Sequence, residues 1–160
     1  MKVIIIGASL SGKTTLIRYL QSRESEIPIE EMDALLTREN GGVFPIDINR
    51  KNELAREVVR KILTEDKIIF FTNTDYFTLN DLFEAKRNGF KIIQLVLEIE
   101  ELQKRNKYRS ENKGYEDLSQ WLGGMIRYQK EIKDAGLVDK ILDAKLSPAD
   151  LASEFMRSIK

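Results

Sequence analysis

Short unbroken apolar runs alternate along this chain with stretches whose apolar residues recur every three or four positions. Residues 3–6 (Val-Ile-Ile-Ile), 68–71 (Ile-Ile-Phe-Phe) and 92–97, in which Gln94 is the one polar member, are runs of the first kind. Such runs mark parallel strands buried on both faces. A shorter strand is predicted at 138–142, and an extended segment at 27–29 whose Pro28 argues against a central hydrogen-bonded place. Between them, Leu16, Ile17 and Leu20 fall at helical spacing. So do Leu54, Val58, Val59, Ile62 and Leu63, within a helix predicted over 52–63, and Leu118, Leu122, Met125, Ile126 and Gln129.

Punctuation agrees with this pattern. Thr78-x-x-Asp81 is a capping box, and Gly89 follows basic residues as helix C-termini prefer. Gly136 ends the long helix, and Ser147-Pro148-x-Asp150 caps the final one. Residues 23–26 form a charged break, and residues 37–49, with Gly41, Gly42 and Pro45, read as a loop. Five strands alternating with helices predict an α/β fold: a five-stranded parallel sheet covered on both faces, in one domain spanning 1–160.

Composition narrows the chemistry. With 26 basic and 26 acidic residues the formal charge is zero, so no global field favours nucleic acid or an acidic membrane. Cysteine and histidine are both absent, which leaves proton transfer and metal binding to carboxylates, lysine and hydroxyls. No apolar stretch reaches membrane-spanning length, and the first residues lead straight into a strand, so a cytoplasmic protein without a signal peptide is expected.

The most specific signal follows the first strand. Gly7-Ala8-Ser9-Leu10-Ser11-Gly12-Lys13-Thr14 satisfies G-x-x-x-x-G-K-[ST], between a strand and a helix as that motif requires. Glycines let successive backbone N–H groups turn inward around an anion, and the helix behind adds its free N–H groups and dipole. Residues 7–15, through Thr15, are the expected ATP-binding segment, with Lys13 reaching the β- and γ-phosphates and the Thr14 hydroxyl on Mg²⁺. The bland alternative is a glycine turn that happens to carry Lys-Thr.

Through this loop, its length and its element order, the chain resembles the small P-loop kinases: adenylate, shikimate and gluconate kinases and their relatives. The resemblance implies a three-layer P-loop NTPase fold with a short lid at about 104–116. Three further stretches are similar. In Glu31-Met32-Asp33-Ala34-Leu35, Asp33 stands where such kinases place an acid that assists Mg²⁺ or the attacking hydroxyl. Here Glu31 replaces the first aspartate of the usual pair, and a helix N-cap is the competing role for Asp33. In Gly42-Val43-Phe44-Pro45-Ile46-Asp47-Ile48-Asn49-Arg50, similar to a gluconate kinase stretch, Asp47 and Arg50 would touch the acceptor. The alternative is loop chemistry, with Asn49 capping the next helix and Arg50 solvated. Arg105-Asn106-Lys107-Tyr108-Arg109 has the lid spacing Arg-x-x-x-Arg, which sets both guanidinium groups on one helix face. Arg105 and Arg109 would close over the triphosphate, unless the charge run is only a solvated face. The resemblance further implies that Arg127 makes a phosphate or substrate contact and that residues 143–147 border the base.

One expected part is missing: no acid directly follows the strand at 68–71, and Asp75 comes late enough to be a turn residue. No Asn-Lys-x-Asp motif supports GTP. The expected function is an ATP- and Mg²⁺-dependent phosphotransferase acting on a small-molecule hydroxyl or phosphate, of nucleotide, sugar or acid type. Lys13, Asp33, Arg105 and Arg109 are its catalytic candidates, and Asp33, Asp47, Arg50 and Arg127 its acceptor contacts. Thr14 and Asp33 are the metal candidates. The alternative is an ATP-binding regulatory switch without an acceptor. A polynucleotide kinase is disfavoured by the zero net charge.

Overall fold

Five parallel strands lie in the order β2-β3-β1-β4-β5, formed by β1 (Lys2–Gly7), β2 (Ile29–Glu31), β3 (Ile68–Thr72), β4 (Lys91–Val96) and β5 (Lys140–Asp143). The computed structural model describes residues 1–23 and 26–159; Glu24 and Ser25, in the charged break expected at 23–26, lie outside the described residues. Seven helices join and cover the strands among these residues: α1 (Lys13–Gln21), α2 (Met32–Glu39), α3 (Ile48–Leu63), α4 (Leu79–Arg87), α5 (Ile99–Lys113), α6 (Ser119–Asp134) and α7 (Pro148–Ile159).

The alternation of side chains along β1 divides the core. Ile4 and Ile6 pack with Phe70, Ile92 and the apolar stripes of α2, α3 and α4. Val3 and Ile5 pack on the other face with Phe71, Ile93, Leu95 and residues of α1, α5 and α7. All four β1 side chains are fully buried, as a central parallel strand requires. The chain runs from β1 out to the edge strand β2, back to β3, and then across β1 to β4. That reversal opens a crevice at the carboxyl ends of the strands, where open α/β sheets bind ligands.

The extended segment expected at 27–29 pairs as β2 over 29–31, and the strand expected at 138–142 pairs as β5 over 140–143. Two helix boundaries also differ, each for a local reason. Helix α3 starts at Ile48, four residues before the start expected at Asn52, because the Asp47 carboxylate accepts the Arg50 N–H at 2.8 Å and caps it there. The cap expected of Asn49 is thus supplied two residues earlier. Residues 37–39, read as loop, continue α2, whose buried Met32, Leu35 and Leu36 hold it to the core. The expected caps at Thr78 and Ser147 both form. Most of the stretch expected as a lid, residues 104–113, is the C-terminal part of α5, which ends at Gly114 (φ 64°).

Candidate functional site

The phosphate loop follows from what β1 and α1 force on the residues between them. Gly7 ends the strand where a Cβ would stand 2.7 Å from Ser11 Oγ and 3.2 Å from Leu95 Cβ, so no side chain fits. Leu10 (φ 71°) and Gly12 (φ 91°) are both left-handed, a conformation that lets neighbouring amides turn toward a shared anion. The buried Ser11 braces the turn, its hydroxyl donating to the Ala8 carbonyl at 2.7 Å. Gly12 holds the N-cap position of α1 without any side-chain cap, and no acid lies in the first turn. The first N–H groups of α1 are therefore left to an anion.

Lys13 folds back over this loop. Its Nζ donates to the carbonyls of Gly7 at 2.8 Å and Ala8 at 2.9 Å, and the side chain is buried. Burial lowers the ammonium to about 8 from an ordinary 10.5, with Glu31 and Asp33 pulling the other way. A cleft of about 990 Å³ opens in front of it. Ser9, Leu10, Gly12, Lys13, Thr14 and Thr15 form its floor, whereas Gly7, Ala8 and Ser11 lie beneath.

One wall of the cleft is α5. Arg105 and Arg109 both reach it, as their four-residue spacing predicts, together with Lys104 and Lys113. Arg105 Nη1 donates to the Leu10 carbonyl at 3.0 Å and its Nε pairs with Glu101 at 3.3 Å, which ties the helix to the phosphate loop. The Arg109 guanidinium stacks 4.1 Å from the Tyr115 ring. The chain after α5 is pinned by the buried Asn106, whose amide donates to Asp117 at 2.7 Å and Ser119 at 3.1 Å. Asn106 also accepts the Leu118 N–H at 2.9 Å. Hydrogen bonds from Ser119 and Asn106 hold the Asp117 carboxyl down at about 2.

The opposite end of the cleft is acidic. Asp33 lies in the first turn of α2, while Glu31 occupies the N-cap position without a side-chain cap bond, so Asp33 is not the helix cap. The Asp33 carboxylate accepts from Asn73 Nδ2 at 3.1 Å and from the Tyr76 hydroxyl at 3.4 Å. Burial, then the Asp33 charge, raises the Tyr76 hydroxyl well above the ordinary tyrosine range. Glu31 is raised by burial and by Asp33, with Lys13 opposing.

Asp47, Arg50 and Arg127 do not line this cleft among the described residues. Asp47 caps α3, Arg50 pairs with Glu53 at 2.9 Å, and Arg127 is exposed on α6. Asp75 is an exposed turn residue (φ 78°) facing Glu131; the polar residue that enters the cleft from the end of β3 is Asn73. The sequence pattern leads to an acid being expected there, and the signal for the amide is its place just after a buried strand. Nothing in the sequence points to Tyr76. A smaller cavity of about 160 Å³ adjoins the loop, lined by Thr15, Arg105, Ala144, Leu146 and Pro148 among others. It lies where residues 143–147 were expected to border a base.

Fold and phosphate loop together define the architecture of the small P-loop kinases. The chain is similar to the shikimate kinase of Aquifex aeolicus, with a TM-score of 0.74 and 20% identity, over 99% of this chain and 96% of that one. It is similar also to the shikimate kinase of Acinetobacter baumannii, solved in complex with shikimate (0.73, 17%; 99% and 92% covered). A gluconokinase from Sinorhizobium meliloti gives 0.64 and 14%, with 99% and 90% covered. The chain matches no protein-family model and no curated protein. No helix among the described residues is long and apolar enough to cross a membrane.

Proposed function

We propose that this protein is an ATP-dependent phosphotransferase acting on a small-molecule acceptor. The observation that carries the reading is Lys13, buried at the uncapped start of α1 and held by two loop carbonyls, in one cleft with Asp33. A lysine in that state exchanges its carbonyl partners for phosphate oxygens at little desolvation cost, since burial has already removed its water.

Within that reading each side chain has a task. Lys13 and the amides of the floor residues Ser9, Leu10 and Gly12 to Thr15 grip the polyphosphate, and the start of α1 adds its dipole. Asp33, steadied by Asn73 and Tyr76, takes the proton of the acceptor hydroxyl as its oxygen bonds to the γ-phosphorus and the bond to the leaving ADP oxygen breaks. Arg105 and Arg109 face the charge that spreads over the transferring group. The base would rest in the cavity beside Arg105 and Pro148. Asp47, Arg50 and Arg127 could reach the acceptor only if α3 or α6 moved.

The donor set suits Mg²⁺. The Thr14 hydroxyl and an Asp33 carboxylate oxygen are hard ligands, and no group of three or more acids that could hold a metal occurs among the described residues. That matches an ion which keeps its waters and completes its shell with phosphates. When bound, it neutralises phosphate charge and fixes the orientation of the transferring group. ADP release measured against polyols, amino sugars, sugar acids, nucleosides and nucleotides tests the reading. Acceptor-dependent release, abolished in Lys13→Ala, supports transfer. Slow acceptor-independent hydrolysis with a nucleotide-dependent change in assembly would support the regulatory switch instead.

A further inference from the structure

Leu10 is an unexpected residue for its place in the phosphate loop. Its φ of 71° is left-handed, where an L side chain crowds its own backbone. The other non-glycine residue in that region, among the described residues, is Asp75, whose short polar side chain suits an exposed turn. Glycine would take the same backbone freely, so what leucine adds at this position is a side chain.

That side chain is partly buried on the core cluster that also carries Leu118. Leu10 lines the cleft, and it lines as well a second cavity of about 140 Å³, together with Asn106, Arg109, Tyr115, Glu116 and Leu118. All but Leu10 belong to the end of α5 and the turn that follows it. Gly114 and Tyr115 donate their backbone N–H groups to the Arg109 carbonyl, and the Tyr115 ring lies against the Arg109 guanidinium. The Leu118 N–H is held by Asn106. Meanwhile the Leu10 carbonyl accepts Arg105 Nη1 at 3.0 Å, one turn earlier on the same helix. Leu10 therefore meets α5 twice, by its backbone at Arg105 and by its side chain at the turn that fixes where Arg109 points.

We propose that Leu10 is a positioning residue, whose side chain braces the turn after α5 and so holds Arg109 toward the transferring phosphoryl group. The inference rests on the phosphotransfer reading. A guanidinium helps a transition state only when it is already in place, and a brace on the loop that grips the phosphates sets Arg109 relative to those phosphates.

The test compares Leu10→Gly, which keeps the left-handed turn and removes the side chain, with Leu10→Met, which keeps apolar volume. In the free protein, amide hydrogen exchange at Tyr115 and Leu118 should quicken by about tenfold in Leu10→Gly and stay near wild type in Leu10→Met. In steady-state kinetics Leu10→Gly should lower kcat by about tenfold while ATP·Mg²⁺ affinity changes by less than about threefold. Leu10→Met should restore turnover. In an Arg109→Ala background Leu10→Gly should cost almost nothing further, as a residue acting through Arg109 requires. Unchanged exchange in Leu10→Gly, or a kcat loss that adds in full to that of Arg109→Ala, overturns the proposal and leaves the kinase reading standing. So does a loss of ATP affinity as large as the loss in kcat, which would make Leu10 a part of the grip alone. ATP binding by the wild type without transfer to any acceptor ends the phosphotransfer reading, and the role given to Leu10 with it, whatever the exchange rates show.

Discussion

The two sides of the cleft differ in how they are made. The side proposed to hold phosphate is one contiguous turn, residues 7–14, set by a strand before it, a helix after it and two left-handed residues within it. Its working groups are largely backbone amides, which no distant residue needs to place. The side proposed for the acceptor joins the end of β2 to the end of β3, and its central hydrogen bond links Asn73 to Asp33 across forty positions of sequence. Side chains do the work there, so its precision depends on packing between α2, β3 and α4. A local device is fixed by motif, while a dispersed one is free to change its ligand.

Variants can sharpen or break that contrast. Lys13→Ala should have the largest effect, lowering kcat/KM by about 10²–10³ whatever the acceptor, because it removes charge aimed at the transferring group. Asp33→Asn should lower kcat by about 10²–10⁴ with ATP affinity little changed, as loss of a proton acceptor does. An equal loss of ATP binding in that variant would mean the two sides are not separable. Asn73→Ala should cost about tenfold in turnover, the usual scale for a group that orients a reacting side chain. In an Asp33→Asn background the same change should cost almost nothing, which a double-mutant cycle in steady-state kinetics checks. Structural effects should be smaller. Asn106→Ala strips three hydrogen bonds from the turn after α5 and should lower stability by about 1–3 kcal/mol in urea melts. Asp47→Ala removes a cap and should cost about 1 kcal/mol without altering kcat.

The contrast also explains what could be read in advance. Gly7, Gly12 and Lys13 are legible because strand, loop and helix are adjacent in the chain. The core stripes of α3 and the capping box at Thr78 are legible for the same reason. Asp33 is legible by its position after β2, but its two donors are not, since only the folded sheet brings β3 beside β2. Asp47 shows the converse. Its place in a polar loop suits a ligand contact equally well, and only the hydrogen bond to Arg50 N shows that it caps α3. Charge alone could not show that Arg105 spends one nitrogen on the Leu10 carbonyl or that Arg56 is locked to Asp81.

The central claim is that the turn after β1 grips a polyphosphate with Lys13 as its charge, and calorimetry of ATP·Mg²⁺ binding tests it most directly. Burial holds the free lysine at about 8, below its ordinary 10.5, and phosphate oxygens restore the charged form. Binding should therefore take up a proton at pH 8 and above, and little at pH 6.5, read as a buffer-dependent enthalpy. Affinity should fall as pH rises past about 8. The account predicts one site, with that proton uptake lost in Lys13→Ala. No heat with any purine triphosphate, or equal binding by wild type and Lys13→Ala, would contradict it.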